Sequence, residues 1–318
     1  MPDTVTLADG IIQIDTEMAG MKEVCAAFVI PGENPAVFET GPATVTDALT
    51  DGLAQVGLGP DDVAYFVVSH IHLDHAGGAG DIIERFPKAQ IVCHVEGARH
   101  MANPEKLMAS AYRVFGSRLD ELFGPLRPVP GDKLRAVDAG DVIDLGGGRT
   151  LEVVKALGHA RHHMAVQDSE SGVIFVGDSM GVYLPEAGVL RPATPPPDFD
   201  LREALATLQR YRERRPSALY LTHFGPAPGE DMLLGEAERR LVQHGQIVER
   251  LLTETDDLDE IAARLKDETR DDYQAVYDDP ALEAKFEALN AFRSSAAGYV
   301  RYFQTNGTAG LEGGRSSG

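Results

Sequence analysis

The chain has 318 residues, of which 43% are hydrophobic and 25% are charged, values typical of a globular protein. Its formal net charge is −21, and a field of that sign repels nucleic acid and anionic membrane surfaces. Neither of these is therefore expected as a partner.

Cysteine usage and the N-terminus predict a protein of the cytoplasm. The two cysteines, Cys25 and Cys93, lie in apolar runs and are expected to be buried rather than part of a disulfide framework. The first residues contain no basic segment followed by an apolar one, so no signal peptide is expected. No apolar run approaches the length of a membrane span.

The first part of the chain is predicted to contain strands and one helix. Apolar residues at helical spacing predict a helix over residues 45–56, which Gly57 ends. Turn residues separate the predicted strands, which lie at residues 4–7, 11–14, 25–30, 36–39 and 63–68.

A cluster of histidines and an aspartate follows the strand at residues 63–68. His70 and His72 are two residues apart, so in extended backbone both rings point to the same face and can reach one metal ion. Asp74 and His75 come where the chain turns into a helix, which aims them at a second ion nearby. Imidazole and carboxylate donors without thiolate suit Zn²⁺, with Fe²⁺ or Mn²⁺ as alternatives. The competing interpretation is a cluster of surface histidines.

The middle of the chain returns to strands after a helical stretch. His94 follows the strand at residues 90–93 and either caps a helix or lies near the site. Residues 104–123 are predicted to form one helix, whose apolar positions, including Tyr112, either pack in the core or wall the site. Strands then follow at residues 133–137, 141–145, 150–154, 164–166, 173–176 and 219–221.

Three further side chains that can bind a metal follow short apolar strands or the loops after them. They are His159, Asp178 and His223. Each stands near the end of a strand, as His70 does, and α/β folds place their ligands at strand ends.

The C-terminal part is predicted to be helical and acidic. Helices are expected over about residues 235–253, 257–267 and 280–292, before a tail rich in Gly and Ser that is expected to be disordered. The predicted organisation is a catalytic domain, a C-terminal helical extension and this tail, with the boundaries 1–234, 235–304 and 305–318.

The run from His70 to His75, with the pattern His-x-His-x-Asp-His, resembles the signature of the metallo-β-lactamase superfamily. The later Gly-His, Gly-Asp and single His have the order of the later motifs of that superfamily, and the resemblance covers about residues 10–235. It implies a four-layer αββα sandwich of two mixed β-sheets with the metals at one edge.

The resemblance also implies the ligand assignment. His72 stands where di-iron members of the superfamily generally have Glu, and Asp178 stands where the clinical lactamases have Cys, which favours a hydrolase of the glyoxalase II-like type. The assignment has three parts: a first metal held by His70, His72 and His159, a second held by Asp74, His75 and His223, and Asp178 as the bridge.

In such a site two metal ions lower the pKa of a bridging water, and the hydroxide attacks a small ester, thioester, lactone or phosphoester. Asp74 and Asp178 are the catalytic residues expected beside that hydroxide, and Tyr183 is a candidate to bind the substrate carbonyl.

Glu39 is a candidate acceptor for a hydrogen bond from a ligand histidine, and the alternative is that it is a solvent-exposed carboxylate on an edge strand. His163 is expected either to make a similar hydrogen bond or to pack in a strand, and Arg161 either to meet an anionic substrate or to be exposed.

Two other functions are kept open by the sequence. One is an iron-dependent oxygenase or sulfur-oxidising enzyme on the same ligands, and the other is a metal-binding protein without turnover. The C-terminal segment lacks the basic cluster with which human-type glyoxalase II holds glutathione, which disfavours glutathione thioesters. A small-molecule substrate is the expected partner, and the C-terminal helices either cover the site or form a homodimer interface.

Overall fold

A computed structural model describes residues 1–227 and 229–307 of the chain. The chain divides into two compact units, each built from several segments. Unit 1 comprises residues 1–155, 162–177 and 217–226. Unit 2 comprises residues 156–161 and 178–216 together with the described residues from 227 onward.

The strands are β1 (Thr4–Thr6), β2 (Ile12–Asp15), β3 (Ala26–Ile30), β4 (Ala36–Phe38), β5 (Tyr65–Val67), β6 (Gln90–His94), β7 (Leu134–Val137), β8 (Val142–Asp144), β9 (Thr150–Lys155), β10 (Met164–Asp168), β11 (Ile174–Phe175), β12 (Val182–Leu184), β13 (Val189–Arg191), β14 (Leu219–Leu221) and β15 (Gly225–Ala227).

The α-helices are α1 (Thr46–Gln55), α2 (Leu73–Ala76), α3 (Ala79–Arg85), α4 (Val95–Ala102), α5 (Glu105–Phe115), α6 (Arg118–Leu122), α7 (Leu201–Arg214), α8 (Glu230–Leu251), α9 (Leu258–Glu268), α10 (Gln274–Tyr277), α11 (Pro280–Leu289) and α12 (Phe292–Asn306). Short 3₁₀ helices occur at Met18–Gly20, Ala43–Val45, Gly131–Lys133 and Arg270–Tyr273.

The first sheet of unit 1 has seven strands in the order β1-β2-β3-β4-β5-β6-β7. Strands β1 to β4 are antiparallel neighbours, whereas β4 to β7 are parallel. Parallel neighbours need crossover connections, and the helices α1 to α6 lie in these connections. The carboxyl ends of β4, β5 and β6 therefore meet at one edge, and the loop after β5 carries the histidine cluster.

The second sheet has six strands in the order β15-β14-β11-β10-β9-β8. Strands β8 to β11 are antiparallel, and β11 pairs with β14 in parallel. This sheet too is mixed, and β14 leads to the late histidine, His223, at its carboxyl end.

The two sheets pack face to face around an aromatic core. Phe28 and Phe38 belong to the first sheet, and Phe175 and Tyr220 belong to the second. The ring centre of Phe175 is 5.5 Å from that of Phe28 and 5.2 Å from that of Phe38. All four side chains are buried, and aromatic rings of this size contribute strongly to a core. The predicted sandwich of two mixed β-sheets is confirmed.

Unit 2 contains the hairpin of β12 and β13 and the helices α7 to α12. Phe199, Tyr299 and Tyr302 are buried together, with 4.8 Å between the ring centres of Phe199 and Tyr299. The predicted C-terminal helical extension is confirmed, although the stretch predicted as one helix over residues 280–292 ends at Leu289 and a further helix, α12, follows. That helix also extends two residues into the segment predicted to be disordered, and residues 308–318 of this segment lie outside the described residues.

The predicted domain boundaries stay predictions, and residue 235 lies inside α8. Both cysteines are buried, and burial raises the pKa of the Cys93 thiol to about 12. Within the described ranges, no helix combines the length and the apolar character needed to cross a membrane.

Candidate metal centre

The histidine cluster lies on a tight turn between β5 and α2. His72 precedes the first residue of α2 in extended conformation, and His75 lies within the helix. Gly77 allows the turn to close, because a Cβ atom there would lie only 2.3 Å from the carbonyl oxygen of Leu73. Glycine is therefore required at position 77 by close backbone packing at the end of the turn.

His70 and His72 face each other in unit 1, as the spacing of two predicts. His70 Nε2 lies 2.8 Å from His72 Nδ1. Zn–N bonds are about 2.0–2.1 Å long, so ring nitrogens this close can bind the same ion. On its other side, His70 Nδ1 lies 2.9 Å from the hydroxyl oxygen of Ser69, which keeps Nε2 turned toward His72.

Asp74, His75 and His223 form a second group in unit 1. One ligand atom from each of the three residues lies within 4.8 Å of the other two. Asp74 Oδ2 is 3.6 Å from His75 Nε2 and 3.4 Å from His223 Nε2. The loop after β5 and the loop after β14 thus bring two imidazoles and a carboxylate together, although His223 is far away in the sequence.

Glu39 is the buried acceptor that orients His75. Glu39 Oε1 lies 3.0 Å from His75 Nδ1 and accepts from the hydroxyls of Ser69, at 2.5 Å, and Thr222, at 2.9 Å. Its other oxygen accepts from the backbone N–H of Ser69 at 3.2 Å. Because a carboxylate only accepts, His75 carries its proton on Nδ1 and presents Nε2 to the group around Asp74. The alternative, in which Glu39 is a solvent-exposed carboxylate on an edge strand, is wrong, because its side chain is fully buried.

His223 is oriented in the same way by a backbone group. Its Nδ1 donates to the carbonyl oxygen of Val24, which fixes the tautomer with Nε2 toward Asp74. The predicted site residues do not include these supports, which are Val24, Ser69 and Thr222. Ser69 and Thr222 directly precede predicted ligands, which is the local signal that they carry.

Replacing Glu39 with Gln is expected to weaken metal binding about 10- to 100-fold and to cost about 1–3 kcal/mol in the free energy of unfolding. The amide nitrogen of Gln donates, so it would face one of the N–H or O–H donors that Glu39 now accepts from. Competition with a chromogenic chelator and urea unfolding measure the two effects. Glu84→Gln, at an exposed carboxylate on α3, is the control. Unchanged affinity in Glu39→Gln would contradict the role of Glu39.

The remaining two predicted ligands, His159 and Asp178, lie together in unit 2. His159 Nε2 is 3.6 Å from Asp178 Oδ2, and both side chains are buried. His159 Nδ1 lies 2.9 Å from the carbonyl oxygen of Ala193 and donates to it. The seven predicted ligands thus form two sets, five in unit 1 and two in unit 2. Their donors are imidazole and carboxylate, a combination that fits divalent Zn, Fe or Mn.

His162 and His163 also lie beside the cluster in unit 1. The ring of His163 is 5.0 Å from that of His70 and packs against Gly177, where a Cβ atom would lie 2.8 Å from His163 Nε2. The His162 ring is stacked at 6.1 Å on that of His70. His162 Nδ1 also accepts from the backbone N–H of Ile71 at 3.4 Å. Both histidines therefore support the ligand segment.

The other candidate residues have more ordinary surroundings. His94 accepts from the backbone N–H of Glu96 at the start of α4, which is the capping role, and burial lowers the pKa of His94. Tyr183 lies on β12 and is 8% exposed, so its proposed contact with substrate stays a prediction. The Arg161 side chain is 74% exposed, which agrees with the alternative of an exposed Arg.

Arg161 also lines a cavity of about 260 Å³ in unit 2. Its guanidinium is paired with Asp198 at 2.9 Å, so its charge is already compensated at the cavity wall. An anionic substrate would have to compete with that carboxylate.

The comparisons with known proteins agree on one family. The family model of the metallo-beta-lactamase superfamily matches residues 21–223, a range that includes all seven predicted ligands. The metallo-beta-lactamase fold-containing protein ST1585 of Sulfurisphaera tokodaii is 27% identical over 219 residues, which are 68% of this chain and 78% of that protein. The crystal structure of ST1585 from Sulfolobus tokodaii has a TM-score of 0.57 at 26% identity and covers 69% of this chain and 80% of that one.

Two other comparisons extend this result. The hydroxyacylglutathione hydrolase of Synechococcus sp. (strain JA-2-3B'a(2-13)) is 31% identical over 136 residues, 43% of this chain and 41% of that enzyme. The metallo-beta-lactamase family protein TTHA1429 of Thermus thermophilus shares the fold over 96% of this chain and 92% of its own, with a TM-score of 0.65 at 20% identity. The fold, the ligand pattern and the matched range agree, and the chain belongs to the metallo-β-lactamase superfamily.

Proposed function

We propose that this protein is a binuclear metal-dependent hydrolase that acts on a small ester, thioester, lactone or phosphoester. The observation that carries the proposal is the convergence of Asp74, His75 and His223, whose ligand atoms lie within 4.8 Å of one another. Members of the superfamily bind divalent metals, and a superfamily relative named hydroxyacylglutathione hydrolase supports hydrolysis as the class of reaction.

The proposed ligand sets follow the superfamily pattern. His70 and His72, with ring nitrogens 2.8 Å apart, would hold one ion together with His159. Asp74, His75 and His223 would hold the other. Asp178, which lies 3.6 Å from His159, would be shared by both ions.

The chain's own residues fit this role through their orientation and charge. Glu39 and the Val24 carbonyl fix the tautomers of His75 and His223, so that the Nε2 lone pairs are available without a proton loss. Bound divalent ions would lower the pKa of water and polarise the attacked carbonyl or phosphoryl oxygen. Asp74, one-quarter exposed, is placed to accept a hydrogen bond from the attacking water and so to orient it.

Metal analysis of the purified protein, combined with a panel of chromogenic esters, thioesters, lactones and phosphotriesters, tests the proposal. We expect two divalent ions per chain, Zn²⁺ foremost, and turnover of at least one substrate class that a chelator abolishes and added Zn²⁺ restores. Bound iron with oxygen uptake would instead support the oxygenase alternative. Stoichiometric metal without turnover across the panel would support a metal-binding protein and contradict a hydrolase.

A further inference from the structure

We propose that the C-terminal helices α11 and α12 position the ligand His159, through the segment of residues 191–194 on which they pack. This inference deepens the proposed function and rests on it, since it requires that His159 binds a metal. It assigns a task to the C-terminal helical extension other than binding of substrate or of a second copy of the chain.

The first step is the contact between His159 and the segment. His159 Nδ1 donates to the carbonyl oxygen of Ala193 at 2.9 Å, and the imidazole is buried. This hydrogen bond places the ring proton on Nδ1 and holds the ring, and thereby sets the direction of Nε2, which lies 3.6 Å from Asp178 Oδ2. A displacement of the Ala193 carbonyl would therefore turn Nε2 away from that carboxylate.

The end of α11 anchors the beginning of the segment. The fully buried guanidinium of Arg191 donates to the carbonyl oxygen of Phe286 at 2.7 Å and to that of Asn290. Asn290 in turn donates from its side-chain amide to the carbonyl oxygen of Pro192 at 2.7 Å. Arg191 thus gives the Phe286 carbonyl a second donor beside the backbone N–H of Asn290, and it holds the segment against the end of α11.

The third step is the packing of α12 on the end of the segment. The buried hydroxyl of Thr194 donates to the carbonyl oxygen of Ser295 at 3.1 Å. A Cβ atom on Gly298 would lie 1.9 Å from the carbonyl oxygen of Thr194 and 2.9 Å from its carbonyl carbon. The backbone of α12 therefore contacts the carbonyl of Thr194, one peptide after that of Ala193, at a distance that only glycine permits.

A competing interpretation of the same contacts is purely structural. Contacts of this kind could serve only to hold the helices of unit 2 together, with no consequence for the ligand. The two interpretations differ in metal affinity, because a purely structural contact changes stability and leaves the affinity of the folded protein unchanged.

The substitution Gly298→Ala tests the proposal. Its methyl group must move the Thr194 carbonyl by about 1 Å or more, and the Ala193 carbonyl lies one peptide away. We expect the affinity for one of two metal ions to fall about 10- to 100-fold, while the other ion, held by Asp74, His75 and His223, keeps its affinity. Zn²⁺ titration against a chromogenic chelator measures both affinities, and the visible spectrum of the Co²⁺ form reports the changed ligand geometry.

Gly235→Ala is the matched control, because Gly235 lies in α8 and nothing is within 4 Å of its added Cβ. It is expected to keep both affinities. Thr194→Val is a milder second variant for the case that Gly298→Ala does not fold, since it removes the bond to Ser295 without adding volume. We expect it to lower the affinity for the same ion by a smaller factor.

The outcomes separate this inference from the proposed function. If the wild type binds fewer than two ions, or if His159→Ala keeps both affinities, the ligand assignment fails and the inference falls with it. If His159→Ala loses one ion while folded Gly298→Ala and Thr194→Val keep both affinities, the assignment stands and the inference alone is overturned. Loss of one ion in the Thr194 or Gly298 variant, with Gly235→Ala unchanged, supports it.

Discussion

Replacing Asp74 with Asn is expected to lower kcat by about 10²- to 10³-fold and to remove one of two metal ions per chain. The carboxylate of Asp74 lies 3.4 Å from His223 Nε2 and 3.6 Å from His75 Nε2, so it supplies the negative charge of this ligand group. A neutral amide binds a divalent ion more weakly and cannot orient an attacking water as a carboxylate does.

The variant should fold, which makes the result interpretable. The Asp74 side chain is 25% exposed and Asn has almost the same size, so the core is not disturbed. Asp81→Asn is a matched control, since Asp81 lies on the neighbouring helix α3 and its side chain is 20% exposed. It is expected to keep both kcat and the metal content.

Metal content by atomic emission and kcat from steady-state kinetics give the two readings. A loss of kcat with two ions still bound would separate the water-orienting role of Asp74 from its role as a ligand. Full turnover with two ions per chain in Asp74→Asn would contradict both roles.

Regular elements with a clear hydrophobic period were predictable from the sequence. The helix predicted over residues 45–56 is found at Thr46–Gln55, with Leu49 and Leu53 fully buried at the expected spacing. The strand before the histidine cluster is found at Tyr65–Val67. In these places one face of the helix or strand is buried, so apolar residues recur in the sequence at the period of that element.

The helix predicted over residues 104–123 shows where local pattern fails. It is two helices, α5 and α6, separated at Gly116, whose φ of 57° is outside the helical range. In α5 no residue is buried, and Tyr112 is 45% exposed, so the prediction of core packing is wrong for this helix. An amphipathic pattern indicates that a helix has an apolar face, but it does not indicate which part of the protein packs against that face.

The candidate ligands were predictable, whereas most of the groups that orient them were not. Four candidate ligands share one short motif, and the other three follow in the order of a known pattern. The supports come from distant parts of the chain, and two of them are the backbone carbonyls of Val24 and Ala193. A backbone carbonyl has no side-chain signature, so only the tertiary structure reveals that it faces an imidazole.

Replacing Asp168 with Ala is expected to cost about 3 kcal/mol or more in the free energy of unfolding of unit 1. Asp168 is fully buried at the end of β10 and accepts two hydrogen bonds from Arg149, at 2.9 and 2.7 Å. It also accepts from the backbone N–H of Ser171 at 3.0 Å, which closes the turn toward β11. Removing the carboxylate leaves a largely buried guanidinium, for which Glu170, at 3.6 Å, is the remaining carboxylate partner among the described residues.

Two controls identify the source of that cost. Asp144→Ala removes a carboxylate that caps an exposed turn, where its Oδ1 accepts from Gly146, and is expected to cost about 1 kcal/mol or less. The double variant Arg149→Met/Asp168→Leu replaces the pair by apolar side chains and should cost less than Asp168→Ala alone. If the double variant is the less stable of the two, an uncompensated charge is not the cause. The chain has no Trp, so far-UV circular dichroism in urea is the suitable measurement.

The stabilisation by Asp168 should also depend on pH in a defined direction. Burial alone would raise the pKa of Asp168, but hydrogen bonds from Arg149 and Ser171 hold it below its ordinary value. A carboxyl whose pKa is lower in the folded state stabilises the protein above the pKa of the unfolded chain, about pH 4, and loses that contribution as the pH falls through the folded pKa. The difference between wild type and Asp168→Ala should therefore be the same at pH 7 and pH 5 and smaller at pH 3.5. A difference that grows toward low pH would mean that the carboxyl is protonated in the folded protein, and the ion pair with Arg149 would be refuted.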